Sequence, residues 1–103
     1  MARHVYIDHL AQAVGESVTL KGWLYGSRSS GKLIFLQVRD GSGYVQCVLF
    51  KNDVSPELFE LAKHIPQESS LIVTGIVREH ERQKGVFELG VQSLEVIARP
   101  SEE

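Results

Sequence analysis

Residues 32–50 read KLIFLQVRDGSGYVQCVLF, two alternating runs separated by a turn signal. Side chains alternate across a β-strand, so Ile34, Leu36 and Val38 share one face of the first run and Leu33, Phe35 and Gln37 the other. The first set is the natural core face. Asp40-Gly41-Ser42-Gly43 makes the tight turn of a hairpin into residues 44–50. With Val45, Cys47 and Leu49 filling the interior, Gln46 points outward on the same face as Phe35. A ring and an amide are thus expected together on the wet side of one sheet.

The surroundings of that ring are cationic. Residues 21–39 hold Lys21, Arg28, Lys32 and Arg39 and no acidic residue. An aromatic ring among cations on a sheet surface is how proteins stack unpaired bases and track their phosphates, so single-stranded RNA or DNA is the expected ligand. The formal net charge of −2 argues against a general nucleic-acid coat protein, whose affinity comes from excess Lys and Arg. Charge is segregated instead: Asp53, Glu57, Glu60 and Glu68, then Glu79, Glu81 and the tail, carry the acids, while the first half of the sheet is basic. That pattern fits a small, directed contact with a few nucleotides.

Working outward, Asp8 is placed to cap a short helix over residues 9–14, with Gly15 taking the left-handed conformation that ends it. From Ser17 the period becomes two: Val18, Leu20 and Leu24 alternate with Thr19, Lys21, Trp23 and Tyr25, and Gly22 allows a bend. Residues 27–31, SRSSG, read as a loop. After the hairpin, Asp53 or Ser55, with Pro56 in the first turn, starts a helix over residues 57–64 that carries Leu58, Phe59, Leu61 and Ala62. A fourth strand over residues 70–79 sets Leu71, Val73 and Val77 against Ile72, Thr74 and Ile76; the charged turn 80–85 leads to a fifth over 86–97. There Phe87, Leu89 and Val91 point in and Glu88 points out. Pro100 stops the strand, and residues 99–103 read as the start of a linker or a frayed end.

Five strands with a helix between the third and fourth match the OB-fold, an all-β, five-stranded Greek-key barrel whose second and third strands bind oligonucleotides, here with an added short N-terminal helix. One surface would present the ring of Phe35, the amide of Gln46, the carboxylate of Glu88 and the guanidinium of Arg28. These are the groups that read the hydrogen-bonding edges of splayed bases.

The string VTLKGWLYGSRSSGKLIFLQVRDGSGYVQCVLF over residues 18–50 resembles the N-terminal anticodon-binding domain of class IIb aminoacyl-tRNA synthetases. RSSGK, QESSL at residues 67–71 and the following VTGIVREHER look most like the bacterial-type asparaginyl enzymes. The resemblance implies binding of a tRNA anticodon loop, that of asparagine tRNA. Phe35 matches the aromatic under the central base and Gln46 the side chain that bonds that uracil. Arg28 matches the loop arginine near the first anticodon base, and Glu88 the acid that recognises a guanine there. It leaves the reader of the third base unnamed, and it implies a dimer in the full-length context. The family's loop usually carries more cations than Arg28 alone.

Plainer readings stand beside these. Phe35 as core beneath the N-terminal helix, Gln46 as a solvated strand residue, Glu88 as half of a surface ion pair, and Arg28 and Lys32 as solubilising loop charges all fit the same residues. Trp23 is expected against the N-terminal helix, with Tyr25 a second nucleic-acid contact. A generic single-strand binder and a protein-interaction or dimerisation module, through Ile72, Ile76 and Val48, are the competing functions.

The 103 residues, 43% hydrophobic, suffice for one domain with one core, residues 1–103. No apolar run approaches a membrane span, and the lone Cys47 suits a reducing compartment, so the cytoplasm is expected. No phosphate cradle, nucleophile elbow or isolated carboxylate pair is present, and His4, His9, His64 and His80 lack zinc-ligand spacing. No catalysis, cofactor or metal is expected of this chain, which is a piece of a longer enzyme or a free-standing relative.

Overall fold

A computed structural model describes residues 3–79 and 86–98. Its elements in chain order are β1 (Arg3–His4), the 3₁₀ helix η1 (Ile7–Gln12), β2 (Ser17–Ser30), β3 (Leu33–Arg39), β4 (Tyr44–Phe50), α1 (Pro56–Ala62), β5 (Ser70–Glu79) and β6 (Phe87–Ala98). The sheet runs β1-β2-β3-β4-β6-β5 and closes through a β2–β5 pairing. The expected five-stranded barrel is therefore present, with the helix between its third and fourth strands. The short β1, parallel to β2, adds an edge that the sequence reading lacked.

The long β2 does two jobs. Its first half, from Ser17 to Trp23, pairs with β5, and its second half, to Ser30, pairs with β3. The changeover needs close backbone approach at Gly22, where an added Cβ would lie 2.2 Å from the Arg39 carbonyl oxygen. Gly75 is equally constrained by Gly90 O, at 2.2 Å. Alternate residues of every barrel strand fill the interior: Val18, Leu20 and Leu24, then Ile34, Leu36 and Val38, then Val45, Cys47 and Leu49 are buried as their parity requires. Leu71, Val73, Val77, Leu89 and Val91 complete the wall, and α1 plugs one end with Phe59 and Ala62. Phe87, expected inside, is only partly buried against this core.

Four local expectations are corrected. Residues 27–30 are strand rather than loop: Arg28 pairs with Phe35 and Ser30 with Leu33, and Gly31, at φ 60°, forms the turn with Lys32. The SRSS composition is polar because all four of these residues, on both faces of the strand, are exposed, while their β3 partners Ile34 and Leu36 are buried. The N-terminal helix begins at Ile7, earlier than expected, and Asp8 does not cap it. Instead Asp40, from the β3–β4 turn, accepts the Ile7 amide at 2.8 Å, and Ser42 Oγ accepts that of Asp8 at 3.2 Å. Trp23 is 44% exposed rather than packed away. Ser55 does cap α1, accepting from the Leu58 amide at 3.1 Å, but the helix ends at Ala62, short of His64. The turn 80–85 and the tail 99–103 lie outside the described residues.

Candidate nucleic-acid interface

The outward side chains of β3, β4 and β6 fall into register as two adjacent rows. In one, Arg28 of β2 stands opposite Phe35, which stands opposite Val48, then Gly90 and Ile76. In the next, Gln37 faces Gln46, which faces Glu88, which faces Arg78. Strand pairing therefore brings Arg28, Phe35, Gln46 and Glu88 onto one surface from four strands. Phe35 is half-buried and borders two depressions. One, of about 290 Å³, is lined by Gly26, Ser27, Arg28, Phe35 and Gln37. The other, a broad trough of about 1040 Å³, runs past Val48, Phe50, Arg78 and Gly90. A third hollow of about 280 Å³ lies over Gln46, between Gln37, Tyr44, Phe87 and Glu88.

The charges on this face are arranged unequally. The Arg28 guanidinium lies 5.0 Å from the centre of the Phe35 ring and, among the described residues, joins no ion pair. Glu88, with a side chain 20% exposed, sits 3.5 Å from the Arg78 guanidinium, which also lies over Gly90, so a Cβ there would meet it at 3.4 Å. Lys32 is exposed in the ribbon turn and lines none of these three hollows. Tyr25 stands apart from Phe35, beside Arg39 and Tyr44: the Arg39 guanidinium is 5.7 Å from its ring centre, and the two tyrosine rings are 6.0 Å apart.

Sequence reasoning passed over Arg78, Gln37 and Tyr44. Gln37 and Tyr44 share parity with Phe35 and Gln46, which was signal enough. Arg78 had none, because its pairing with Glu88 depends on a register set across the turn 80–85. Burial pushes the Cys47 thiol up to about 12, which suits an inert core residue. No group of three or more His, Cys, Asp or Glu among the described residues could hold a metal. No described helix is long and apolar enough to cross a membrane.

Residues 18–97 match the family model of the OB-fold nucleic acid binding domain, in its tRNA-anticodon form. The chain belongs to that family. The domain is 54% identical over 96 residues to an asparagine–tRNA ligase of Koribacter versatilis, covering 93% of this chain and 22% of the ligase. It is 46% identical over 99 residues to the Thermus thermophilus enzyme, covering 96% of this chain and 23% of that one. Among solved structures, the Pyrococcus horikoshii asparaginyl-tRNA synthetase complexed with asparaginyl-adenylate superposes with a TM-score of 0.87 at 45% identity, covering 100% of this chain and 24% of that one. The domain thus spans about a fifth to a quarter of the proteins it matches, and the catalytic part of those ligases lies outside its 103 residues. Its sequence and its barrel are those of the anticodon-binding domain of asparaginyl-tRNA synthetases.

Proposed function

We propose that the 103 residues act as one module that binds the anticodon loop of asparagine tRNA, in the cytoplasm, and does so as part of a dimeric ligase. The observation that carries this reading is the register itself: a stacking ring and the row Gln37–Gln46–Glu88 lie side by side on the binding face of the family's barrel.

Each group has a chemical task. A base seated on Phe35 contributes about 1–3 kcal/mol, whereas the exposed Arg28–ring contact is worth about 0.5–1 kcal/mol, so the base displaces the guanidinium toward its own phosphate. The Gln46 amide both donates and accepts, which matches the imide edge of uracil. Glu88 accepts from a base that presents two N–H donors, as guanine does. Its partner Arg78 is half-exposed and stands 3.5 Å away, a long and partly screened contact, so the carboxylate is open to exchange while Arg78 keeps the site from repelling phosphate.

Titration of the chain with anticodon stem-loops carrying each of the four bases at the central position tests this. Uracil should bind tightest, and Phe35→Ala should weaken that complex about 5- to 150-fold with the barrel intact. Equal affinity for loops with and without the central uracil refutes the reading.

A further inference from the structure

A second aromatic site lies beyond Phe35 on the same sheet. Tyr44 is 70% exposed and Tyr25 48% exposed, and the two rings adjoin with centres 6.0 Å apart. Tyr25 owes its position to an irregularity: Leu24 pairs with Val38 and Gly26 with Gln37, so Tyr25 is an extra residue, a bulge that aims its ring toward Arg39 and Tyr44. The segment beneath holds that bulge. Gln67 Nε2 donates to the Tyr25 carbonyl at 2.8 Å, and the Glu68 amide donates to that of Leu24 at 2.7 Å. Glu68 adopts φ 70°, a strained conformation for a residue with a side chain, and its carboxylate accepts from Arg39 at 2.9 Å. The guanidinium lies 5.7 Å from the Tyr25 ring centre.

We propose that Tyr25, Arg39 and Tyr44 form a second nucleotide seat, which takes an RNA nucleotide flanking the one at Phe35. Its base stacks on the open face of Tyr44 and its phosphate meets Arg39. The tyrosines, 6.0 Å apart and tilted by 49°, leave no slot for a base between them, so the outer face of Tyr44 is the platform. Arg39 is four residues from Phe35 along β3, about 13 Å, too far to serve the base on Phe35. Tyr44 lines the hollow over Gln46, and Gln37, which lines it too, also borders the depression beside Phe35. Glu68 is a positioning residue, holding Arg39 rather than touching RNA.

This seat rests on the anticodon-loop reading, and the experiment separates the two. The stem-loop is prepared with single abasic nucleotides scanned along the loop, and each is titrated with the unmutated chain, Phe35→Ala and Tyr44→Ala. Melting curves confirm that both variants fold. Expected is a loss of about 5- to 100-fold for Tyr44→Ala on the intact loop, abolished by one abasic position that differs from the position abolishing the Phe35→Ala loss. A Phe35→Ala loss without a Tyr44→Ala loss overturns the second seat alone. One abasic position abolishing both losses, or no position abolishing the Tyr44→Ala loss, also overturns it. Failure of the unmutated chain to bind any loop overturns the anticodon reading.

Discussion

Replacing Asp40 by alanine should detach the N-terminal helix from the barrel. The carboxylate accepts three bonds: from the Ile7 amide at 2.8 Å, and from the amide and hydroxyl of Ser42 at 2.8 and 2.6 Å. The Ser42 groups are exposed and regain water on truncation, so most of the loss falls on the partly buried Ile7 amide. A lost cap costs about 0.5–2 kcal/mol and a bond to a charged acceptor about 1.5–3 kcal/mol, which puts the variant about 2 kcal/mol down. For a domain of this size that is a fall in Tm of about 8–16 °C. The pH dependence gives the sign. Burial raises the carboxyl's pKa, but the bonds from Ser42 and Ile7, with a smaller contribution from the nearby Gly43 amide, outweigh it and hold Asp40 below the ordinary value of 3.8. Its stabilisation is present above 3.8 and is lost as pH falls through the lower folded-state value. Melts of the parent and Asp40→Ala followed by circular dichroism from pH 7 to pH 2 should show a gap that narrows only at the acid end. Asp40→Asn, which keeps an acceptor oxygen without the charge, should fall between them. A gap under about 0.5 kcal/mol at pH 7, or one that persists undiminished at pH 2, refutes the capping account.

Gly75→Ala should destabilise the barrel by about 1–3 kcal/mol or more in denaturant titration, since the new methyl meets the Gly90 carbonyl; an unchanged midpoint would mean that β5 and β6 part easily. Glu88→Gln should leave the melting temperature within about 2 °C of the parent while lowering the preference for guanine over adenine at the first anticodon position by about 10-fold or more, as measured by competition between stem-loops. Retained preference would remove Glu88 from the reading set.

Period-two alternation made the outward face of β3 and β4 legible in the sequence. Phe35 and Gln46 are outward because Ile34, Leu36, Val45 and Cys47 must be inward, and no tertiary knowledge is needed for that. What escaped depended on partners distant in sequence. Asp40 caps a helix 33 residues earlier, so local cap rules chose Asp8 instead. Arg28 sits in a strand whose polar letters spell a loop, because a strand segment exposed at every residue from 27 to 30 has no apolar alternation to read. Tyr25 is displaced by a bulge, which breaks the parity count at the residue where it was being used. The side of a strand is written in its own letters, whereas register, caps and bulges belong to pairs of segments.

The rows on β3 and β4 carry a constraint on how such a domain can change. The proposed contact groups and the core groups occupy interleaved positions of the same strands, so one inserted or deleted residue would expose the apolar set and bury the polar one together. Loss of recognition by slippage therefore means loss of folding, and drift in what the face reads is confined to exchange of single side chains on a fixed grid.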